Sequence, residues 1–130
     1  MYSDECEVSK LMQLRAEVKN ILQDQNINLT YMPFFLKAIS KALLQYPEIN
    51  ALIDVKKESV KIIKQHNIGF AMDTPGGLVV PNIKNVQNLS IIKIAKELNR
   101  IQTLGKNSAI PPNDLTGGTF SFSNIGIVSH

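Results

Sequence analysis

From Ser9 onward, apolar side chains recur at Leu11, Met12, Leu14, Val18, Ile21 and Leu22. Three- and four-residue steps of this kind predict an amphipathic helix running to about Gln25, with Ser9 as its N-cap. Residues 2–8, YSDECEV, predict a short strand before it. A second helical period follows Thr30. Pro33 suits its first turn, Phe34, Phe35, Ala38, Ile39, Ala42 and Leu43 form its apolar face, and Pro47 stops it at Tyr46. The period then shortens. Ile49–Val55, Val60–Lys64, Asn67–Asp73 and Leu78–Ile83 predict four short strands. A turn at Thr74–Gly77 joins the last two, and Pro81 marks an edge or a bulge. Ser90 caps a third helix, Ile91–Leu104, with Ile91, Ile94, Ala95, Leu98 and Ile101 inward and Gly105 as its stop. After a loop, KNSAIPPND, a last strand spans Thr119–Ser123. The predicted order is β-α-α-β-β-β-β-α-β. Helices flanking a mostly antiparallel or mixed sheet give an α/β or α+β layered sandwich.

Composition adds limits. At 130 residues with 44% hydrophobic positions, the chain is long enough for one domain with a real core. The net charge is +3, but the 14 Lys and Arg are scattered, aromatics are 6% and Trp is absent. Without a basic stripe or an aromatic platform, no nucleic-acid partner is expected. No apolar run reaches membrane-spanning length, and no signal-peptide or transit pattern opens the chain, so no membrane partner is expected and any targeting signal lies outside it. Cys6 is the only cysteine, which rules out an internal disulfide or a cysteine-based zinc site. Phosphate-cradling glycine loops, the Gly-x-Ser-x-Gly elbow and paired histidines at ligand spacing are all missing. The two histidines are His66, at a strand start and read as structural, and His130, the last residue. By residue type alone Ser123 is a strand serine, Arg15 an exposed helix charge and Thr30 a helix cap. No complete catalytic set emerges.

Three stretches carry more. LTYMPFFLKAISKALLQYPEINA (29–51), HNIGFAMDTPGGLVVPNIKNVQ (66–87) and DLTGGTFSFSNIG (114–126), with ELNR (97–100) between and YSDECEVSKLMQLRAEVK before, resemble the catalytic domain of the lipoamide acyltransferases of 2-oxoacid dehydrogenase complexes. The resemblance spans residues 2–126, and HNIG, AMD, PNIKNVQ and TGGTFSFSNIG look nearest to the branched-chain 2-oxoacid member. It implies a chloramphenicol-acetyltransferase-like two-layer sandwich, with a mixed sheet flanked by helices. It also implies homotrimers with active sites between subunits, assembled into a larger core. The implied reaction moves a short acyl group, here a branched-chain one, from a dihydrolipoyl thioester to coenzyme A. The lipoyl group rides on a separate upstream domain. Implied partners are the dehydrogenase/decarboxylase and dihydrolipoamide dehydrogenase components, and the implied location in a eukaryote is the mitochondrial matrix.

By motif position Ser123 is similar to the family's oxyanion-stabilising serine. Ser123, Arg15, Thr30, Asp73, Gln102 and Asn124 match coenzyme A contacts, and no metal is implied. Among these, a guanidinium such as Arg15 suits a phosphate on physical grounds as well. The family's general base lies in His-x-x-x-Asp-Gly downstream of the serine strand, and neither His66 nor His130 stands in such a motif. The sequence after Gly126, IVSH, also departs from the family pattern. The chain, 1–130, is therefore expected to be a catalytic domain cut at both ends, inactive alone and exposing apolar surface. The alternatives are a non-catalytic assembly subunit of the same fold and a chloramphenicol-acetyltransferase-like enzyme with another acyl acceptor.

Overall fold

The computed structural model describes residues 1–124; Ile125, Gly126 and the IVSH segment through His130 lie outside the described residues. Four helices and seven strands follow in the order α1 (Ser9–Leu22), α2 (Met32–Gln45), β1 (Ala51–Asp54), β2 (Ser59–Ile62), β3 (Ile68–Phe70), β4 (Met72–Thr74), β5 (Gly77–Val79), β6 (Asn82–Ile83), α3 (Ile91–Lys106), α4 (Pro112–Leu115) and β7 (Phe120–Phe122). The strand expected at residues 2–8 is absent. That segment has no ladder to join and is almost wholly exposed, and the Glu7 carboxylate accepts from the Ser9 N–H, so Ser9 opens α1 without capping it.

The core joins α2 and α3 to the central sheet. Leu36, Ile68, Phe70, Ile83, Val86, Ile94, Leu98 and Ile101 form one buried cluster. A second cluster, Leu22, Leu29, Phe34 and Ala95, docks the end of α1 and the following loop onto α3. The buried face of α2 is rotated from the expected one. Pro33, Phe34, Leu36, Ser40 and Leu43 turn inward, while Ala38 and Ala42 are exposed. A stripe wide enough to include Leu36 and Ser40 allows either rotation, and packing against α3 selects one. α1 is docked along a narrow line, leaving Met12, Leu14 and Ile21 exposed. The β1–β2 hairpin carries Leu52, Ile53, Val55 and Val60 in solvent.

The two strands expected at 67–73 and 78–83 form one antiparallel hairpin in a single register. Ile68 pairs with Ile83, and Asp73 with Leu78. The ladder breaks midway because Pro81 has no N–H to give; its carbonyl instead accepts from Phe70 N at 2.9 Å. The two halves thus become β3–β6 and β4–β5. Thr74 Oγ1 donates to the Gly77 carbonyl at 2.8 Å and closes the turn, where φ of +115° at Gly77 suits only glycine. β7 pairs parallel with the other edge of β3, giving the mixed order β6-β3-β7. Phe122 rests near Phe35 of α2, with ring centroids 6.1 Å apart.

His66, just before β3, is buried. Its Nδ1 is 2.7 Å from the Ser40 hydroxyl, and the His66 backbone N–H donates to Gln87 Oε1 at 3.0 Å. Burial and, secondarily, the nearby Lys37 ammonium hold its imidazole below the usual histidine value, so the folded state favours the neutral ring. α3 runs past its expected stop. Gly105 lies inside the last turn, where Met72 packs against the space a Cβ would fill, and Asn107 is the C-cap.

Two outcomes follow from this packing. A folded pKa below the ordinary 6.5 means the His66 contribution to stability is complete above that pH and is lost as pH falls through the folded value. Thermal melts should therefore drop more between pH 7.5 and pH 5.5 in the wild type than in His66→Gln, and equal drops would contradict it. In Gly105→Ala, a Cβ would stand 3.1 Å from Met72 Sδ and closer still to its terminal methyl. Only a flexible tip must yield, and alanine regains up to about 1 kcal/mol of helix propensity. The melting temperature should change little while the Met72 methyl resonance shifts in a carbon–proton correlation spectrum.

Candidate functional site

An open cleft of about 590 Å³ lies where the β4–β5 hairpin, α3, the start of α2 and the end of β7 meet. Its walls are mainly apolar, with Met32, Phe70, Met72, Leu78 and Leu98, and its polar groups are Asp73, Gln102, Ser123 and Asn124. Four of the six residues singled out by sequence thus converge from three separate elements. Asp73 comes from β4, Gln102 from α3, and Ser123 and Asn124 from the chain just after β7.

Ser123 owes its place to pairing. Phe70 and Phe122 are partners in the parallel ladder, so Ser123 is one residue past the last pair, beside the point where the β3 hairpin is broken. There the backbone no longer completes a ladder and side chains replace it as the lining. Ser123 is exposed to the cleft solvent. Gln102 follows Leu98 by one helical turn, which sets a carboxamide directly over an apolar anchor.

Arg15 and Thr30 do not line this cleft. The Arg15 guanidinium stacks 4.8 Å from the centroid of the Tyr31 ring, and its Nε donates to the Leu29 carbonyl at 3.0 Å. Thr30 Oγ1 accepts from the Met32 N–H at 3.3 Å and so helps open α2 although Tyr31 is the formal N-cap. Both therefore brace the segment that delivers Met32 to the cleft wall.

Several residues that hold the site together escape a reading by motif role. Arg100 grips Asp114 with two hydrogen bonds of 2.9 Å and also reaches Glu97. The guanidinium holds the Asp114 carboxyl below its usual range and is itself raised by the pair. This bond ties α4 to α3 just before the chain turns into β7. Asn82, buried, donates to the Thr116 carbonyl at 2.9 Å, and the Lys84 ammonium donates to Asn82 Oδ1 and to that same carbonyl. Asn67 donates to the Gly117 carbonyl at 2.8 Å. The signal was present in HNIG and PNIK: asparagine is depleted in strands, so one at a strand position needs a local partner. Among the described residues, no group of three His, Cys, Asp or Glu could hold a metal ion, and no helix is long and apolar enough to cross a membrane.

Comparison with known proteins identifies the family and the fold. The lipoamide acyltransferase component of the branched-chain alpha-keto acid dehydrogenase complex of Caenorhabditis elegans, a protein named as mitochondrial, is 54% identical over 125 residues, covering 96% of this chain and 28% of its own length. The dihydrolipoyllysine-residue acetyltransferase component of the pyruvate dehydrogenase complex of Bacillus subtilis is 38% identical over 125 residues, covering 95% of this chain and 28% of its own. The chain thus spans little more than a quarter of these relatives. Among solved structures, the cubic core of a pyruvate dehydrogenase multienzyme complex superposes with a TM-score of 0.89 at 28% identity, over 95% of this chain and 51% of that one. With residues 1–129 matched, the chain belongs to the 2-oxoacid dehydrogenases acyltransferase (catalytic domain) family.

Proposed function

We propose that the protein to which this chain belongs transfers a short, branched-chain acyl group from a dihydrolipoyl thioester to the thiol of coenzyme A. The observation that carries the reading is the convergence of Asp73, Gln102, Ser123 and Asn124 on one apolar-walled cleft. The reacting arms of both substrates are chains of methylenes and amides ending in sulfur. Walls such as Met32, Met72 and Leu98, with a few hydrogen-bonding groups between, match that chemistry. The branched-chain assignment rests on the motifs HNIG and PNIKNVQ and on the identity to the nematode relative, 54% against 38% for the bacillar one.

In the reaction, a general base takes the proton of the coenzyme A thiol and the sulfur attacks the thioester carbonyl. The carbonyl oxygen becomes an oxyanion, and the tetrahedral centre collapses as the dihydrolipoyl sulfur leaves and recovers the proton. The Ser123 hydroxyl donates to the oxyanion, from a strand end that needs no rearrangement as charge develops. Asp73, Gln102 and Asn124 contact coenzyme A along the cleft. Arg15 contacts it from α1, at a phosphate, and Thr30 from just before α2. The base belongs to His-x-x-x-Asp-Gly, which residues 1–130 do not contain. Homotrimers building a larger core, a lipoyl group on an upstream domain, decarboxylating dehydrogenase and dihydrolipoamide dehydrogenase partners, and a mitochondrial matrix location complete the reading. The cubic core among its structural neighbours and the mitochondrial relative support it.

Two substitutions in the full-length protein test these roles. Ser123→Ala should lower kcat about a hundred- to a thousandfold with little change in the KM for coenzyme A; an unchanged kcat removes the oxyanion role. Arg15→Met should raise the KM for coenzyme A about tenfold at constant kcat, as loss of one charge-assisted contact does. A lower melting temperature with unchanged KM would leave Arg15 only its contacts with Tyr31 and Leu29.

A further inference from the structure

β7 poses a problem that the hairpin strands do not. A hairpin takes its register from its turn, but β7 runs parallel to β3, and Asn67 and Thr119, at the two strand starts, are 52 positions apart in sequence. Nothing local fixes how far β7 slides. A one-residue slip would turn every side chain of β7 to the opposite face and carry Ser123 out of the cleft.

Asn67 stands at the start of β3, the strand that β6 and β7 flank. Its side chain uses both ends of one carboxamide. Nδ2 donates to the Gly117 carbonyl at 2.8 Å, on the β7 side. Oδ1 accepts from the Asn85 N–H at 2.9 Å, on the β6 side, where Asn85 is left-handed at φ 52°. The donor and acceptor ends cannot be exchanged, since a carbonyl must be met by NH2 and an N–H by oxygen. The backbone of Asn67 adds to this. Its N–H donates to Thr119 Oγ1 at 3.1 Å, and its carbonyl accepts from the Thr119 N–H at 2.8 Å, while Thr119 Oγ1 donates onward to the Gln65 carbonyl at 3.2 Å. Gly117 takes φ +75°, which turns the chain so that its carbonyl can be reached.

We propose that Asn67 is a positioning residue for acyl transfer. By clamping Gly117 and Thr119 to the start of β3, it sets the register of β7 and so the placement of Ser123. It touches no substrate, being at the far end of the β3–β7 pair from Ser123. The inference rests on the oxyanion role proposed for Ser123. It adds that the role depends on a carboxamide whose two faces bind opposite neighbours of the central strand.

Asn67→Asp is the sharpest variant. It keeps an acceptor for the Asn85 N–H but sets a carboxylate oxygen against the Gly117 carbonyl, so only the β7 arm is broken. Kinetics would be measured on the full-length protein as wild type, Asn67→Asp, Ser123→Ala and the double variant. Asn67→Asp should lower kcat about tenfold to a hundredfold, the scale of a displacement near 1 Å, with the KM for coenzyme A within about twofold. In the Ser123→Ala background the same change should alter kcat by less than about threefold, because the group it positions is already gone. A full, additive loss in that background overturns the positioning role while leaving Ser123 its own. An unchanged kcat in Ser123→Ala overturns both. Should Asn67→Asp fail to fold, Thr119→Val removes the hydroxyl that accepts from the Asn67 N–H, and the same non-additivity with Ser123→Ala decides.

Discussion

The central sheet and the cleft lean on β3, a strand of three residues buried at every position and paired on both edges. Ile68 and Phe70 enter the core shared by α2 and α3, and Gly69 between them lets Val80 and Pro81 approach closely. Three residues cannot hold a sheet by their own hydrogen bonds. The strand persists because apolar burial on its helix-facing side is continuous with that of Leu36, Ile94, Leu98 and Ile101. The hairpin to one side and the parallel strand to the other are then placed relative to a fixed bar.

The two edges are secured by different physics. On the β6 side a tight turn sets the register, and the break at Pro81 bends the hairpin so that its far half, β4–β5, becomes a wall of the cleft. On the β7 side a series of polar anchors takes over: Arg100 on Asp114, Asn82 and Lys84 on the Thr116 carbonyl, Asn67 on the Gly117 carbonyl. Those anchors fall on successive parts of the chain between α3 and β7. Each binds either a backbone carbonyl or a charged partner, so it fixes position along the chain as well as proximity. Apolar contact, as between Phe35 and Phe122, adds adhesion but tolerates sliding.

Most of the cleft is built at the ends of elements, namely the break of a hairpin, the first residue of α2 and the two residues past β7, and an interior turn of α3 completes it. Ends are where backbone groups leave their ladders and side chains can be presented without disturbing packing. A polar set held by rigid elements on an apolar ground is a suitable setting for charge that develops during reaction, since its dipoles are already oriented.

The three long helices, the hairpin with its Thr74–Gly77 turn, the interruption at Pro81 and strand β7 were legible in the amino-acid order, because each depends on a period or on a residue whose backbone has few options. The motifs also named Asp73, Gln102, Ser123 and Asn124, which the fold brings to one cleft. Tertiary structure alone decided the rest. Residues 2–8 have strand composition but no neighbour to pair with, and α2 has an apolar stripe broad enough for two rotations, so only packing on α3 chose between them. Arg15 and Thr30, expected from the motifs to act with the cleft residues, stand apart from the cleft, engaged with Tyr31, Leu29 and Met32. The register of β7 against β3 was likewise invisible, because it joins residues 52 positions apart through side-chain hydrogen bonds that no local period encodes.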